Sequence, residues 1–150
     1  MENIVHTPQP VPVPVEAELF DLSTVEDVES AEIQLKRNGQ PLPIFVTIAG
    51  PEHPKRKRFA FEKQRKIRKQ LAKTGKMEFG DPAEDEAEEN DLLTDCILGW
   101  RGVAFQGQPL PCTRDNVTKL LYDKKRAWFR KAIKEAFDDA EAFTRVSAAA

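Results

Sequence analysis

The early part of the chain follows a period of two. Glu18 to Leu22 and Glu32 to Lys36 alternate apolar with polar residues, as half-buried strands do. Ile44-Phe45-Val46-Thr47-Ile48 is β-branched and aromatic, the most strand-like run in the sequence. Asn38-Gly39 signals a turn between Ile33-Gln34-Leu35 and Ile44. Gln40-Pro41-Leu42-Pro43 is expected to lengthen that connection, so a tight two-residue hairpin is not expected. The pattern predicts two or three antiparallel strands within about residues 17–49. So small a sheet is marginal alone and needs a helix packed on it.

After Gly50-Pro51-Glu52-His53-Pro54 the period changes. Good helix formers dominate from there to Gly75, with Ala60, Ile67 and Leu71 near one face, which predicts a helix at about 55–74. Asp81-Pro82 reads as an N-cap followed by a first-turn proline. Ala83, Ala87, Leu93, Ile97 and Trp100 then keep three- and four-residue spacing, giving a second helix at about 81–99 that ends at Gly99 and Gly102. Thr113 caps a third at about 113–123, with Val117, Leu120 and Leu121 as its apolar face. The strongest amphipathic signal is Phe129, Ile133, Ala136, Phe137, Ala140 and Phe143, which predicts a last helix at about 125–146. The fold class expected is α+β: a small N-terminal antiparallel sheet, then about four helices. An extended arm at 1–16 (Thr7 to Val15 reads TPQPVPVPV) precedes a single domain at 17–150.

Charge changes this picture more than composition does. The net charge of −2 hides segregation. Lys55 to Lys76 holds eleven Lys and Arg against Glu62, and Glu78 to Asp95 holds nine acids and no base. If the first two helices form an antiparallel hairpin, opposite charges face each other, orienting it more than stabilising it. The basic patch Lys55, Arg56, Lys57, Arg58, Arg65, Lys66, Arg68 and Lys69, interleaved with Phe59 and Phe61, suits phosphate neutralisation and base stacking. The acidic segment immediately downstream is placed to occupy the same surface, and no nucleic-acid reading motif accompanies the run, so nucleic acid is not the expected partner.

Catalytic constellations are hard to find. His6 lies in the proline arm and His53 in a Pro-flanked turn, neither with a Cys, Ser or Asp at suggestive spacing. The chain has no phosphate loop, HExxH or GxSxG, and the acids from Glu84 to Asp91 lack the geometry of a calcium loop. Cys96 and Cys112 form no metal spacing and are read as reduced thiols. No apolar run approaches the ~18 residues that span a bilayer, and Met1-Glu2-Asn3-Ile4 lacks the basic and apolar regions of a signal peptide. A soluble, non-enzymatic protein with no metal and no cofactor is expected.

Two regions carry a resemblance. Ala31 to about Lys69 holds a polar strand, then Ile44-Phe45-Val46-Thr47-Ile48-Ala49-Gly50-Pro51-Glu52, then the basic helix. Asp91 to Phe143 runs through Gly99-Trp100-Arg101-Gly102-Val103 into Gly107-Gln108-Pro109-Leu110-Pro111, an Asn116 helix with Leu120-Leu121, and the aromatic helix. Together, about two-thirds of the chain resembles the tail assembly chaperones of long-tailed bacteriophages. That resemblance implies a chaperone in the host cytoplasm that binds the tape-measure protein, helps bring tail-tube subunits to it, and is absent from the finished virion. A structural virion subunit and a nucleic-acid-binding accessory protein are the alternatives. Trp100 is expected to pack a hinge between helices, with Gly99 and Gly102 allowing the turn. Trp128, Phe137 and Phe143 are expected to form a surface facing the partner or a second copy, with Trp100 and Phe105 among the candidate partner contacts.

Overall fold

The computed structural model describes residues 19–147. The expected arm at 1–16 lies outside them, as does Glu18. Among the described residues seven strands, β1 (Val25–Asp27), β2 (Ser30–Arg37), β3 (Gln40–Ala49), β4 (Ile97–Arg101), β5 (Ala104–Phe105), β6 (Gln108–Pro109) and β7 (Thr144–Val146), accompany four helices, α1 (Pro54–Thr74), α2 (Pro82–Cys96), α3 (Arg114–Leu121) and α4 (Ala127–Asp138). The fold is α+β. Its central sheet is antiparallel in the order β2-β3-β4, and β1 with β7 and β5 with β6 form two small ribbons.

The β2–β3 hairpin is tight, which corrects the expectation of a long connection. Arg37 pairs with Gln40 across Asn38 and Gly39, both at positive φ (51° and 77°), the two-residue turn that matches strand twist. The prolines do not lengthen the turn because a register shift between Gln34 and Lys36 absorbs them. Gln34 faces Phe45 while Lys36 already faces Pro41, and the Gln34 side-chain amide donates to Leu42 O at 2.9 Å. A bulge removes the ladder bond that proline cannot supply.

The second helix stops three residues earlier than its periodicity suggests, at Cys96. Ile97 turns to extended backbone (φ −80°, ψ 108°), and Ile97–Arg101 adds a strand to β3. Phe45, Val46 and Thr47 pair with Arg101, Trp100 and Gly99, and Ile48 pairs with Ile97, leaving Leu98 as the extra residue of a bulge. Without β4 the ladder groups of β3 would lie open on that side, and pairing them outweighs the helical period of the sequence. Trp100 is therefore a strand residue and not a helix hinge.

The last helix also ends early, at Asp138. Phe129, Ala132, Ile133, Ala136 and Phe137 form its buried stripe at spacings of three, one, three and one. Ala140 and Phe143 belong instead to a short 3-10 turn, and β7 follows it to pair with β1, Val25 facing Val146. The strand expected from Glu18 to Leu22 does not form over its described residues; Leu22 instead opens a 3-10 turn, Leu22–Thr24, capped by Asp21, whose carboxylate accepts from Ser23 N at 3.0 Å.

Two helix starts, at Asp81 and Thr113, follow their sequence signals, and at α1 His53 adds a cap that the sequence reading did not assign. His53 Nδ1 accepts from Lys55 N at α1, Asp81 from Ala83 N at α2, and Thr113 from Asn116 N at α3. The core lies between the inner face of the sheet and helices α2, α3 and α4. Leu35, Val46, Ile48, Leu93, Cys96, Val117, Ile133 and Phe143 are its most enclosed side chains. Each large apolar one contributes about 1.5–3 kcal/mol.

Gly102 joins this framework to the β5–β6 ribbon. Its φ is +80°, and a Cβ there would sit 1.9 Å from Pro43 O. Gly107 has a similar φ of +76° with open space around it. Gly102→Ala should therefore cost at least about 3 kcal/mol, and Gly107→Ala only about 1 kcal/mol. Urea unfolding midpoints check this, and equal losses at the two sites would refute the close approach to Pro43.

Candidate functional site

The aromatic candidates separate into an interior set and an exposed one. Trp100 lies on β4, and its indole Nε1 donates to Leu110 O at 2.8 Å, which holds the β5–β6 ribbon against the sheet. The Trp100 ring meets Phe129 edge-on at 6.3 Å, and Phe129 meets Trp128 edge-on at 5.9 Å. Trp128 is the outer end of this ladder and is 38 % exposed. Beside it lies an open cleft of about 290 Å³ lined by Lys36, Arg37, Asn38, Gly39, Lys131, Ala132 and Glu135. The Arg37 guanidinium stands 5.6 Å from the Trp128 ring. Phe105 is half-buried, and the Arg126 guanidinium lies 4.7 Å over its ring.

Phe137 and Phe143 do not face outward, which corrects their placement on a partner surface. Phe143 is 1 % exposed and Phe137 6 %. The Phe143 ring lies so close to Gly50 that an added Cβ would meet it at 2.9 Å. Sequence reading extended the α4 stripe through Phe143, but the 3-10 turn carries that ring inward instead.

The basic patch also divides. Lys55, Lys57, Arg58, Arg65, Lys66, Arg68 and Lys69 are exposed along α1. Arg56 is half-buried and serves as the anchor of the helix. Its guanidinium donates to Ala49 O (3.2 Å) and Phe137 O (3.1 Å) and lies 3.6 Å over the Phe137 ring. Burial lowers its pKa from the ordinary arginine value, with nearby Cys96 and Asp138 opposing that shift. Cys96 in turn is pushed up to about 11, mainly by burial, so its thiol stays protonated at neutral pH.

The acidic helix is answered by α3 and α4. Glu89 pairs with Arg130 (3.6 Å) and Lys134 (3.7 Å), Asp95 with Arg114 (2.5 Å), and the Tyr122 hydroxyl donates to Asp91 at 3.2 Å. Among the described residues no ion pair joins α1 to α2; Gln70 and Glu78, in α1 and in the link, share a neutral-to-charged hydrogen bond at 2.8 Å. Sequence reading missed Asn90, which is 2 % exposed and accepts from Arg130 Nε through its side chain. The one signal was a lone amide among acids on the side of α2 that carries Leu93.

Among the described residues no cluster of three or more His, Cys, Asp or Glu is arranged to hold a metal, and no helix is long and apolar enough to cross a membrane. His53 is used as the α1 cap. No protein-family model matches the chain, and no characterised protein or solved structure is detectably similar to it.

Arg56→Gln should lower stability by about 2 kcal/mol, because it strips a packed stem and charge-assisted bonds from a half-buried site, while Arg65→Gln should stay within about 0.5 kcal/mol. Chemical denaturation of the two variants decides it; similar values would remove Arg56 from the anchoring role. Cys96 gives a second test. Its folded pKa, about 11, lies above the unfolded value of 9.0, so the folded chain binds more protons between those limits and stability falls as pH rises from 9 towards 11. Over that window the wild type should lose stability faster than Cys96→Ala, and parallel pH profiles would contradict the burial effect.

Proposed function

We propose that this protein is a tail assembly chaperone of a long-tailed bacteriophage, which binds the tape-measure protein and helps recruit tail-tube subunits in the host cytoplasm. The observation that carries this reading is the half-exposed Trp128. It stands at the open end of an aromatic ladder whose inner members are fixed in the core, and it borders a cleft rimmed by Lys36, Arg37 and Lys131. A rigidly supported Trp beside a recess is the form of an interface anchor. An amphipathic helix of an aggregation-prone partner presents the side chains such an anchor takes: an apolar residue on Trp128 and flanking acids on the basic rim.

The resemblance described from sequence supports the same assignment. Gly99-Trp100-Arg101-Gly102-Val103 forms a strand and its exit, and Trp100 reaches across to Leu110 in the proline loop that follows. The Trp step and the loop are thus one structural unit. The chaperone would hold the partner's apolar helical stripe until tube subunits replace it.

Co-expression with the tape-measure protein of the same phage tests the reading. Wild type should yield a soluble complex that survives high salt. Trp128→Ala should weaken retention at least about tenfold while the thermal melt stays within a few degrees, whereas Phe143→Ala should lower the melt sharply as a core truncation. Failure of wild type to form a complex, or its recovery as a stoichiometric component of purified virions, would reject the chaperone assignment.

A further inference from the structure

We infer that α1 is a docking element for the phosphate backbone of double-stranded nucleic acid, an activity separate from the Trp128 surface. The helix is unusual within this fold. It has 21 residues and no buried side chain, whereas α2, α3 and α4 each bury several. It carries ten Lys and Arg and one acid, Glu62. Among the described residues its one ion pair joins Lys57 to Glu52. The sequence places acids downstream that could occupy the basic face, but among the described residues none forms an ion pair with α1: Glu89 and Asp95 pair with α4 and α3, and Glu78 meets only the neutral Gln70.

Three features favour a nucleic-acid duplex over an acidic protein. First, the cations cover the whole open half of the helix. At 100° per residue the exposed Lys57, Arg58, Arg65, Lys66, Arg68 and Lys69 spread over roughly half of the circumference, on the side away from the half-buried stripe of Arg56, Phe59, Ile67 and Gln70. A helix that docks on a protein groove needs an apolar stripe with charge at its borders, and the large open apolar positions here, Phe61 and Leu71, have Gln64, Lys57 and Arg68 between them around the axis. Cations spread over half of the circumference suit a groove with a phosphate chain along each wall. Second, the helix is held at one end by Arg56 and stopped at the other by Gly75, at φ +68°. Its ~32 Å length comes close to one duplex turn. Third, Arg58, Phe61, Arg65 and Arg68 fall along one open side, and Arg is the side chain that meets phosphate in a fixed fork. Nothing in this arrangement reads base edges, so binding is independent of sequence.

The test uses the full chain and labelled DNA and RNA duplexes of arbitrary sequence, about two helical turns long, titrated by fluorescence anisotropy over a salt series. If about six phosphates are engaged, affinity for at least one duplex should fall about a thousandfold between roughly 50 and 200 mM salt. Preference between the arms tells which duplex form α1 takes. The triple variant Arg65→Glu, Arg68→Glu, Lys69→Glu should lose at least about tenfold in affinity with an unchanged circular dichroism melt, because all three residues are exposed. No binding to either duplex at low salt, or binding that the triple variant retains, overturns the inference. So does sedimentation showing that the protein alone forms salt-sensitive multimers that the triple variant abolishes, since the acids of a second copy would then cover α1. These outcomes do not depend on whether the tape-measure protein binds.

Discussion

The contact between the Phe143 ring and the backbone at Gly50 is the constraint on which the rest of the arrangement depends. Gly50 sits where β3 ends and the turn into α1 begins, and an added Cβ there would lie 2.9 Å from the ring and 3.0 Å from Val28 O. Only a bare backbone lets the C-terminal segment lie this close. Three things follow from it. Val28 N donates to Phe143 O at 2.9 Å, which places β7 in register beside β1. Gly50 N donates to Glu29 O at 2.7 Å, so the start of β2 is tied to the same point. Arg56, in the first turn of α1, lies over Phe137 and reaches Phe143 at 5.6 Å, which fixes where the basic helix leaves the body. The two ends of the described chain and the root of α1 thus share one packed junction.

Local signals in the sequence were legible where local chemistry decides the outcome. The caps at Asp81 and Thr113 and the stop at Gly75 depend on neighbours within a few residues, and each lies where its residue type predicts. The strand assigned to Ile44–Ile48 holds because its β-branched residues match a half-buried surface. Errors arose where a distant part of the chain decides. Ile97 and Trp100 continue the apolar period of α2 perfectly well, but β3 is more than forty residues away in sequence and needs a partner along its edge. Phe143 continues the period of α4 in the same way, but Gly50 leaves room for its ring beyond the helix end. The hairpin error differs: Asn38-Gly39 was read correctly as a turn, and the prolines after it were given a role that the bulge makes unnecessary.

Among the site candidates, the sequence separated aromatic from basic positions but not load from surface. Trp128 and Phe129 are adjacent in the chain and on neighbouring faces of one helix, yet one is 38 % exposed and the other 4 %. Arg56 and Arg58 are equally basic, yet one donates to two backbone carbonyls while the other stands in water. Amphipathic period resolves a face to about one residue in four, too coarse to choose between neighbours when both are aromatic or both are cationic. Adjacency of charge blocks misled for a related reason. The acidic segment follows the basic one in sequence, but a helix pairs with whatever packs on its sides, and for α2 that is α3 and α4.

This distribution of charge has an energetic consequence for α1. Arg65 with Arg68 and Lys69, Lys66 with Lys69, and Lys69 with Lys73 are like charges three or four residues apart, each pair costing a free helix about 0.2–0.5 kcal/mol. No acid from α2 relieves them among the described residues, and burial contributes little along the helix. What sustains it is residue propensity, the His53 and Gly75 caps, and Arg56 at its root. An anion laid along α1 reduces the repulsion at several of these pairs together. The free energy gained is then shared between binding the anion and ordering the helix, so ligand affinity and helix stability rise or fall together. A helix so placed is least stable on its own and gains most when its charge is neutralised. The fold achieves this by satisfying its acids elsewhere.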